Sequence, residues 1–239
     1  MAVAFFNPTA VSTVLTDWVV QNDNLGISSD VSGGLRADGD SYGTGAGETD
    51  SVTLFNQKTS TKPTMKCFIA TGDLTLAAVG DLITLTAPAV AQHCDTVNLK
   101  LNVGDFPELS LDLHTHGSSA HPACRVYEGS PTFAAGRGIP VAPGGFALVD
   151  ATNGWSSFDY TISAKHTDEP GGDGETLASE NNDGTEVVNC TVLGNGGVTP
   201  PVAVPVWREV TSDSDRSNNT AEKSKHTFSR HLAFTPAVP

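Results

Sequence analysis

Positive charge is scarce in this chain. Lys and Arg number 13 against 27 Asp and Glu, a formal net charge of −14 over 239 residues. So acidic a surface repels phosphate backbones and anionic headgroups. That excludes tight nucleic-acid binding and attachment to a membrane surface, while it favours solubility. Long apolar runs are missing too: no stretch reaches the roughly 18 residues of a transmembrane helix. The opening MAVAFFNPTAV has neither the basic segment nor the apolar core of a secretion signal, so synthesis in a cytoplasm is the expectation. The sequons at Asn189 and Asn218 are then chance matches. Four cysteines, Cys67, Cys94, Cys124 and Cys190, stand far apart with no C-x-x-C pair. This is too sparse for a disulfide scaffold, and buried free thiols are expected. There is no G-x-S-x-G, and the glycine clusters GTGAG (43–47) and GRG (136–138) lack the lysine and the βα unit of a phosphate loop.

What is plentiful is glycine and proline, 24 and 14 residues, which punctuate short runs of strand type. SVTLF, MKCFIA, DLTLAAVG and DLITLTAP are such runs. The alternation sharpens in TVNLKLNV (96–103), with Val97, Leu99, Leu101 and Val103 on one face. LSLDL repeats it with Leu109, Leu111 and Leu113, FDYTISAKH with Phe158, Tyr160, Ile162 and Ala164, and EVVNCTVL with Val188, Cys190 and Val192. HTFSRHLAF (226–234) is a last candidate strand. One segment reads as a helix: Asn7 caps, Pro8 takes the first position, and Val11, Leu15, Trp18 and Val19 follow helical spacing. The expected fold is mainly β, a sandwich or barrel-like arrangement of antiparallel sheets with one N-terminal α-helix and long acidic loops.

The whole chain, 1–239, reads as a single domain. Residues 21–50 hold six acidic residues, one basic residue and seven glycines, too little apolar surface for a core, so 21–60 reads as an extended arm. The stretch 167–186 holds seven acidic residues and no basic one, and reads as the charged tip of a hairpin with Asp183-Gly184 as a tight turn. GNGGVTPPVAVPV opens a C-terminal extension, 194–239, whose REVTSDSDRSNNTAEKSK reads as a polar loop before one last strand.

Asp112-Leu-His114-Thr-His116 is the pattern with the strongest chemical look. Histidines at i and i+2 project from one face of a strand, as a metal site needs, and His121 follows closely. In the amidohydrolase and PHP-type enzymes that this pentad resembles, it ends the first strand of a βα barrel. Here it sits at mid-chain with no amphipathic helix after it, so that barrel cannot be built. The alternation of Leu109, Leu111 and Leu113 explains it without metal: Ser110, Asp112 and His114 form the outward polar face. Replacing His114 or His116 is then expected to cost little. A metal-dependent hydrolase using Asp112, His114 and His116 is the alternative from another class. Glu169, Asp173, Gly174 and Glu180 fall on calcium-loop positions, but Gly171 stands where a ligand is needed. Trp155 and Trp207 would be the stacking platforms of a carbohydrate-binding sandwich.

The segment SSFDYTISAKHTDEPGGDGETLASENNDGTEVVNCTVLG (156–194) resembles a long hairpin of tailed-bacteriophage virion proteins, tail-tube-like ones especially. The ending WREVTSDSDRSNNTAEKSKHTFSRHLAF (207–234) is similar to the closing segment of such chains. The resemblance implies a non-enzymatic virion structural protein without cofactor, a β-sandwich whose subunits form stacked rings around a DNA channel. Its partners would be copies of itself and other virion proteins, with no membrane. DNA would pass unbound, and Asp168, Glu169, Asp173, Glu175, Glu180 and Asp183 would be the assembly and lumen residues. A capsid decoration or head–tail completion protein is the alternative in the same class.

Overall fold

The structure, a computed structural model, describes residues 15, 18–20, 36–38, 41–43, 49–52, 55–58, 60–67, 69, 71–84, 91–114, 126–127, 129, 131–170, 176–203, 205–215 and 222–232. The strands before the centre of the chain are β1 (Trp18–Val20), β2 (Arg36–Asp38), β3 (Ser41–Gly43), β4 (Thr49–Val52), β5 (Phe55–Lys58), β6 (Ser60–Thr61), β7 (Thr64–Cys67), β8 (Leu82–Thr84) and β9 (Ala91–Asn102). Those after it are β10 (Glu108–His114), β11 (Ala147–Leu148), β12 (Gly154–Pro170), β13 (Thr176–Leu193), β14 (Val198–Thr199), β15 (Arg208–Asp215) and β16 (Lys223–His231). The chain is mainly β, and every strand pairing among the described residues is antiparallel.

Ten strands share one sheet in the order β1-β7-β10-β9-β12-β13-β16-β15, with β6 added on β10 and β8 on β9. Its buried face is the set the alternation marks: Val97, Leu99, Leu101, Leu109, Leu111, Leu113, Phe158, Tyr160, Ile162, Val188, Cys190 and Val192. A layer of irregular chain covers this face. Leu74 N–H bonds Phe133 O (2.7 Å), and Val79 and Tyr127 exchange backbone hydrogen bonds (3.0 and 2.8 Å). Phe133, Phe146 and Trp207 thereby enter the core, with Phe146 centred 5.6 Å from Phe158 and 5.1 Å from Trp207. Aromatic pairs at such separations favour tilted or edge-to-face geometry, as seen here.

Several expectations are corrected. The start of the expected helix, Asn7 to Val11, lies outside the described residues; at its far end Trp18 and Val19 belong to β1, and Trp18 is fully buried with its Nε1–H on Thr75 O (2.6 Å). Helical spacing alone does not commit three residues that a sheet edge can pair. Val103 is 65% exposed, because β9 ends at Asn102 and the chain turns through Gly104. In DLTLAAVG only the bridges Asp73↔Ala134 and Val79↔Tyr127 form. Among the described residues of 21–60, β2 pairs β5 and β3 pairs β4.

The 167–186 stretch is mostly strand, not tip: β12 and β13 stay paired to Pro170 and Thr176. Asp183-Gly184 is no turn but a bulge within β13, with Asp183 at φ 55°. REVTSDSD is β15, a full strand rather than a loop, so the C-terminal extension adds two strands to the sheet, not one. Cys94 and Cys190 are buried free thiols, as expected, and Cys67 is buried too; Cys124 is outside the described residues.

Candidate functional site

Two β-bulges shape one end of the sheet. Between Asp112↔Thr96 and Leu113↔Cys94, β9 carries one residue more than β10, and that residue is Asp95. The bulge shifts the phase of burial: Cys94 is buried although Val97 is too, and Asp95 turns to the opposite side. On the neighbouring pair, Ser163↔Thr185 is followed by Lys165↔Asn182, which leaves Ala164 facing the Asp183-Gly184 bulge. Bulges re-aim side chains in this way and gather near functional sites.

The re-aimed groups converge on His114 and His166. Nδ1 of His114 lies 2.6 Å from Asp95 Oδ2, and Nδ1 of His166 lies 3.9 Å from Asp95 Oδ1. The two imidazoles are tilted by 52° to one another, 4.0 Å between centroids, and the His93 ring stands 5.8 Å from that of His114. Nε2 of His166 lies 2.7 Å from Asp168 Oδ1, and the Ser179 hydroxyl reaches both, at 3.0 Å each. Asn181 Oδ1 is 2.9 Å from His166 Nδ1. Asp95, His114 and His166 are the donor set among the described residues, with one ligand atom of each within 4.8 Å of the others. Cys94 lies next in sequence to Asp95 but is no donor: burial, reinforced by the Asp95 carboxylate, pushes its thiol far above the usual range.

The sequence-derived pentad is therefore split. His114 is in the cluster and only 13% exposed at its side chain, so it is not the free polar edge expected. Asp112 is instead an exposed partner of Lys62 (3.1 Å), and the carboxylate beside His114 is Asp95. His116 and His121 are outside the described residues. Among the acidic residues, Asp168 faces the cluster with 13% side-chain exposure, whereas Glu169, Glu180 and Asp183 are exposed; Asp173 and Glu175 lie outside the described residues. Nothing local in the sequence marks Asp95. Its signal is a break in the alternation upstream of Val97.

A second polar centre is structural. Glu186, wholly buried, pairs with the Arg230 guanidinium and accepts the Tyr160 hydroxyl (2.6 Å). Arg230 lies over the Trp207 ring, 4.6 Å from its centroid, so that tryptophan is a core wall rather than a sugar platform. Trp155 is likewise buried, with its Nε1–H on Val141 O (3.0 Å). No protein-family model, curated protein or solved structure matches the chain.

Proposed function

We propose that the chain is a self-assembling structural subunit of the virion, a bacteriophage tail-tube protein that forms stacked rings around a DNA channel. The observation behind this is the β12–β13 ribbon. β12 pairs β9 only from Ser157 to Ser163, and β13 pairs β16 only from Thr185 to Leu193. Beyond those points Lys165–Pro170 and Thr176–Asn182 pair, among the described residues, only with each other. The ribbon thus runs on for about 20 Å at the usual strand rise. A two-stranded ribbon is at best marginal in water. Packing the ribbons of adjacent subunits against one another, as a ring does, stabilises them.

The charge fits such a ring. Glu169 and Glu180 face away from the histidine cluster, and the whole chain carries a net charge of −14. A wall of carboxylates repels the DNA that it must let pass. The resemblance of 156–194 to tail-tube hairpins agrees with the hairpin that these residues form. Synthesis in the host cytoplasm and residence in the virion follow from this reading.

The test is assembly. Purified full-length protein is concentrated and imaged by negative-stain electron microscopy, with mass measured by sedimentation. Rings or tubes are expected. Their disappearance on replacing 168–180 with a short Asn-Gly hairpin, in a variant that keeps its cooperative unfolding, is expected as well. A wild-type protein that stays monomeric at high concentration overturns the tube reading.

A further inference from the structure

We infer that Asp95, His114 and His166 bind a single divalent cation of the zinc class. Carboxylate and imidazole donors suit such first-row cations. The three ligands come from three adjacent strands, β9, β10 and β12, so the ion ties the root of the projecting ribbon to the body of the sheet. The inference goes beyond the assembly reading and does not depend on it.

The geometry is close to ligation. Zinc binds nitrogen and carboxylate oxygen at about 2.0–2.2 Å, which separates tetrahedral ligands by roughly 3.3 Å. The spacings here, 2.6 Å from His114 Nδ1 to Asp95 Oδ2 and 3.9 Å from His166 Nδ1 to Asp95 Oδ1, bracket that value. Oδ1 of Asp95 is buried without a hydrogen-bond partner among the described residues, an arrangement that a cation relieves.

The surroundings match as well. A metal-bound histidine typically donates its other N–H to a carboxylate, which fixes the tautomer and the ring plane. Here Asp168 Oδ1 takes Nε2–H of His166 at 2.7 Å, and Ser179 steadies both groups at 3.0 Å each. Nδ1 of His166 lies 2.9 Å from Asn181 Oδ1 and 3.9 Å from Asp95 Oδ1, so a cation bound at Nδ1 takes the place of the Asn181 contact. Three protein ligands leave a fourth position for water.

The experiment uses untagged full-length protein, stripped with EDTA, dialysed, and titrated with zinc chloride by calorimetry and with cobalt chloride by visible absorption. One equivalent of zinc and the intense bands of tetrahedral cobalt are expected. Asp95→Asn, His114→Gln and His166→Gln should each weaken zinc binding at least tenfold. Asp168→Asn, which keeps all three ligands, should weaken it by about 10–100-fold. Asp112→Asn should leave it unchanged, which separates this site from the linear pentad. Should a ligand variant unfold, nitrogen shifts of the histidine rings in the wild-type protein decide: zinc must move Nδ1 of both His114 and His166. The inference is overturned if the wild type takes up no zinc, if Asp95→Asn and His166→Gln bind it as tightly as the wild type, if Asp112→Asn abolishes binding, or if the ring nitrogens do not shift.

Discussion

The Tyr160 hydroxyl donates to Glu186 Oε1 across 2.6 Å inside the sheet, on side chains from two paired strands. Burial first, and then the Glu186 charge, raise this phenol far above the ordinary tyrosine range, so it stays a donor at any working pH. Glu186 also holds the guanidinium of Arg230, which is 2% exposed and whose Nη2 has no hydrogen-bond partner among the described residues. Removing one member strands a buried charge. Glu186→Ala is therefore expected to destabilise by about 3–5 kcal/mol, and Tyr160→Phe by about 1–3 kcal/mol. Replacing both ions together, Glu186→Leu with Arg230→Met, should cost much less than the sum of the single changes. Urea unfolding of these three variants, with Glu186→Leu and Arg230→Met made singly as well, checks the ordering.

The bulge at Asp183-Gly184 makes a second prediction. A Cβ on Gly184 would stand 2.6 Å from a Tyr127 ring carbon, closer than packed atoms allow. Tyr127 is itself fixed by hydrogen bonds to Val79 and to Asn181 O. Gly184→Ala should thus cost about 1–3 kcal/mol, as overpacking does. Asp183 has φ 55°, in the left-handed region that glycine tolerates without penalty. Asp183→Gly should accordingly be close to neutral. Opposite behaviour of these neighbours in thermal unfolding would show that packing, not backbone strain, sets the bulge.

The central strands are legible in the sequence because burial on one face writes itself as alternation. Leu109, Leu111 and Leu113, or Val188, Cys190 and Val192, need no structure to be read. β15 is invisible for the converse reason: REVTSDSD is an edge strand whose described side chains are all exposed, so no face is marked. Its Glu, Asp and Ser side chains suit an edge that must not recruit other strands. The histidine cluster is half legible. His114 carries a spacing signal, but Asp95 and His166 join it only through bulges and register across β9, β10 and β12. One extra residue in a strand flips a side chain between faces, and period-2 reading has no term for it. Trp18 misleads because a helical spacing of a few apolar residues also fits a short strand.

Glu169, Glu180 and Asp183 are exposed, and in the assembled reading they would lie near their counterparts on neighbouring subunits. Like charges oppose closure at low ionic strength, and salt screens them over about 10 Å at 0.1 M. Ring or tube formation should rise with sodium chloride. Glu169→Gln with Glu180→Gln should assemble at lower salt than the wild type. Light scattering against salt concentration for both proteins measures this. Assembly that weakens with added salt would mean that attractive charge pairs, not these carboxylates, govern the contact.

The buried thiols make the alkaline limb of stability predictable. Burial, aided by the Glu209 charge, pushes the Cys190 thiol from an ordinary 9.0 up to about 12, and Cys94 is raised further by burial and Asp95. The sign follows from proton counting. Below pH 9 both thiols are protonated in the folded and unfolded chain alike, and they add no pH dependence. Above pH 9 the unfolded chain loses these protons while the folded chain keeps them, so stability falls as pH rises. The slope is about 1.4 kcal/mol per pH unit for each thiol until the folded value is passed. Urea midpoints measured under reductant should fall steadily between pH 9 and 11. Cys190→Ala should flatten that fall by about half between pH 9 and 10, and by about a third above pH 10, where the raised Tyr160 phenol adds a like contribution. In parallel, Cys67, Cys94 and Cys190 should resist a thiol reagent at pH 8 until the protein is unfolded, because each is buried and only the thiolate reacts.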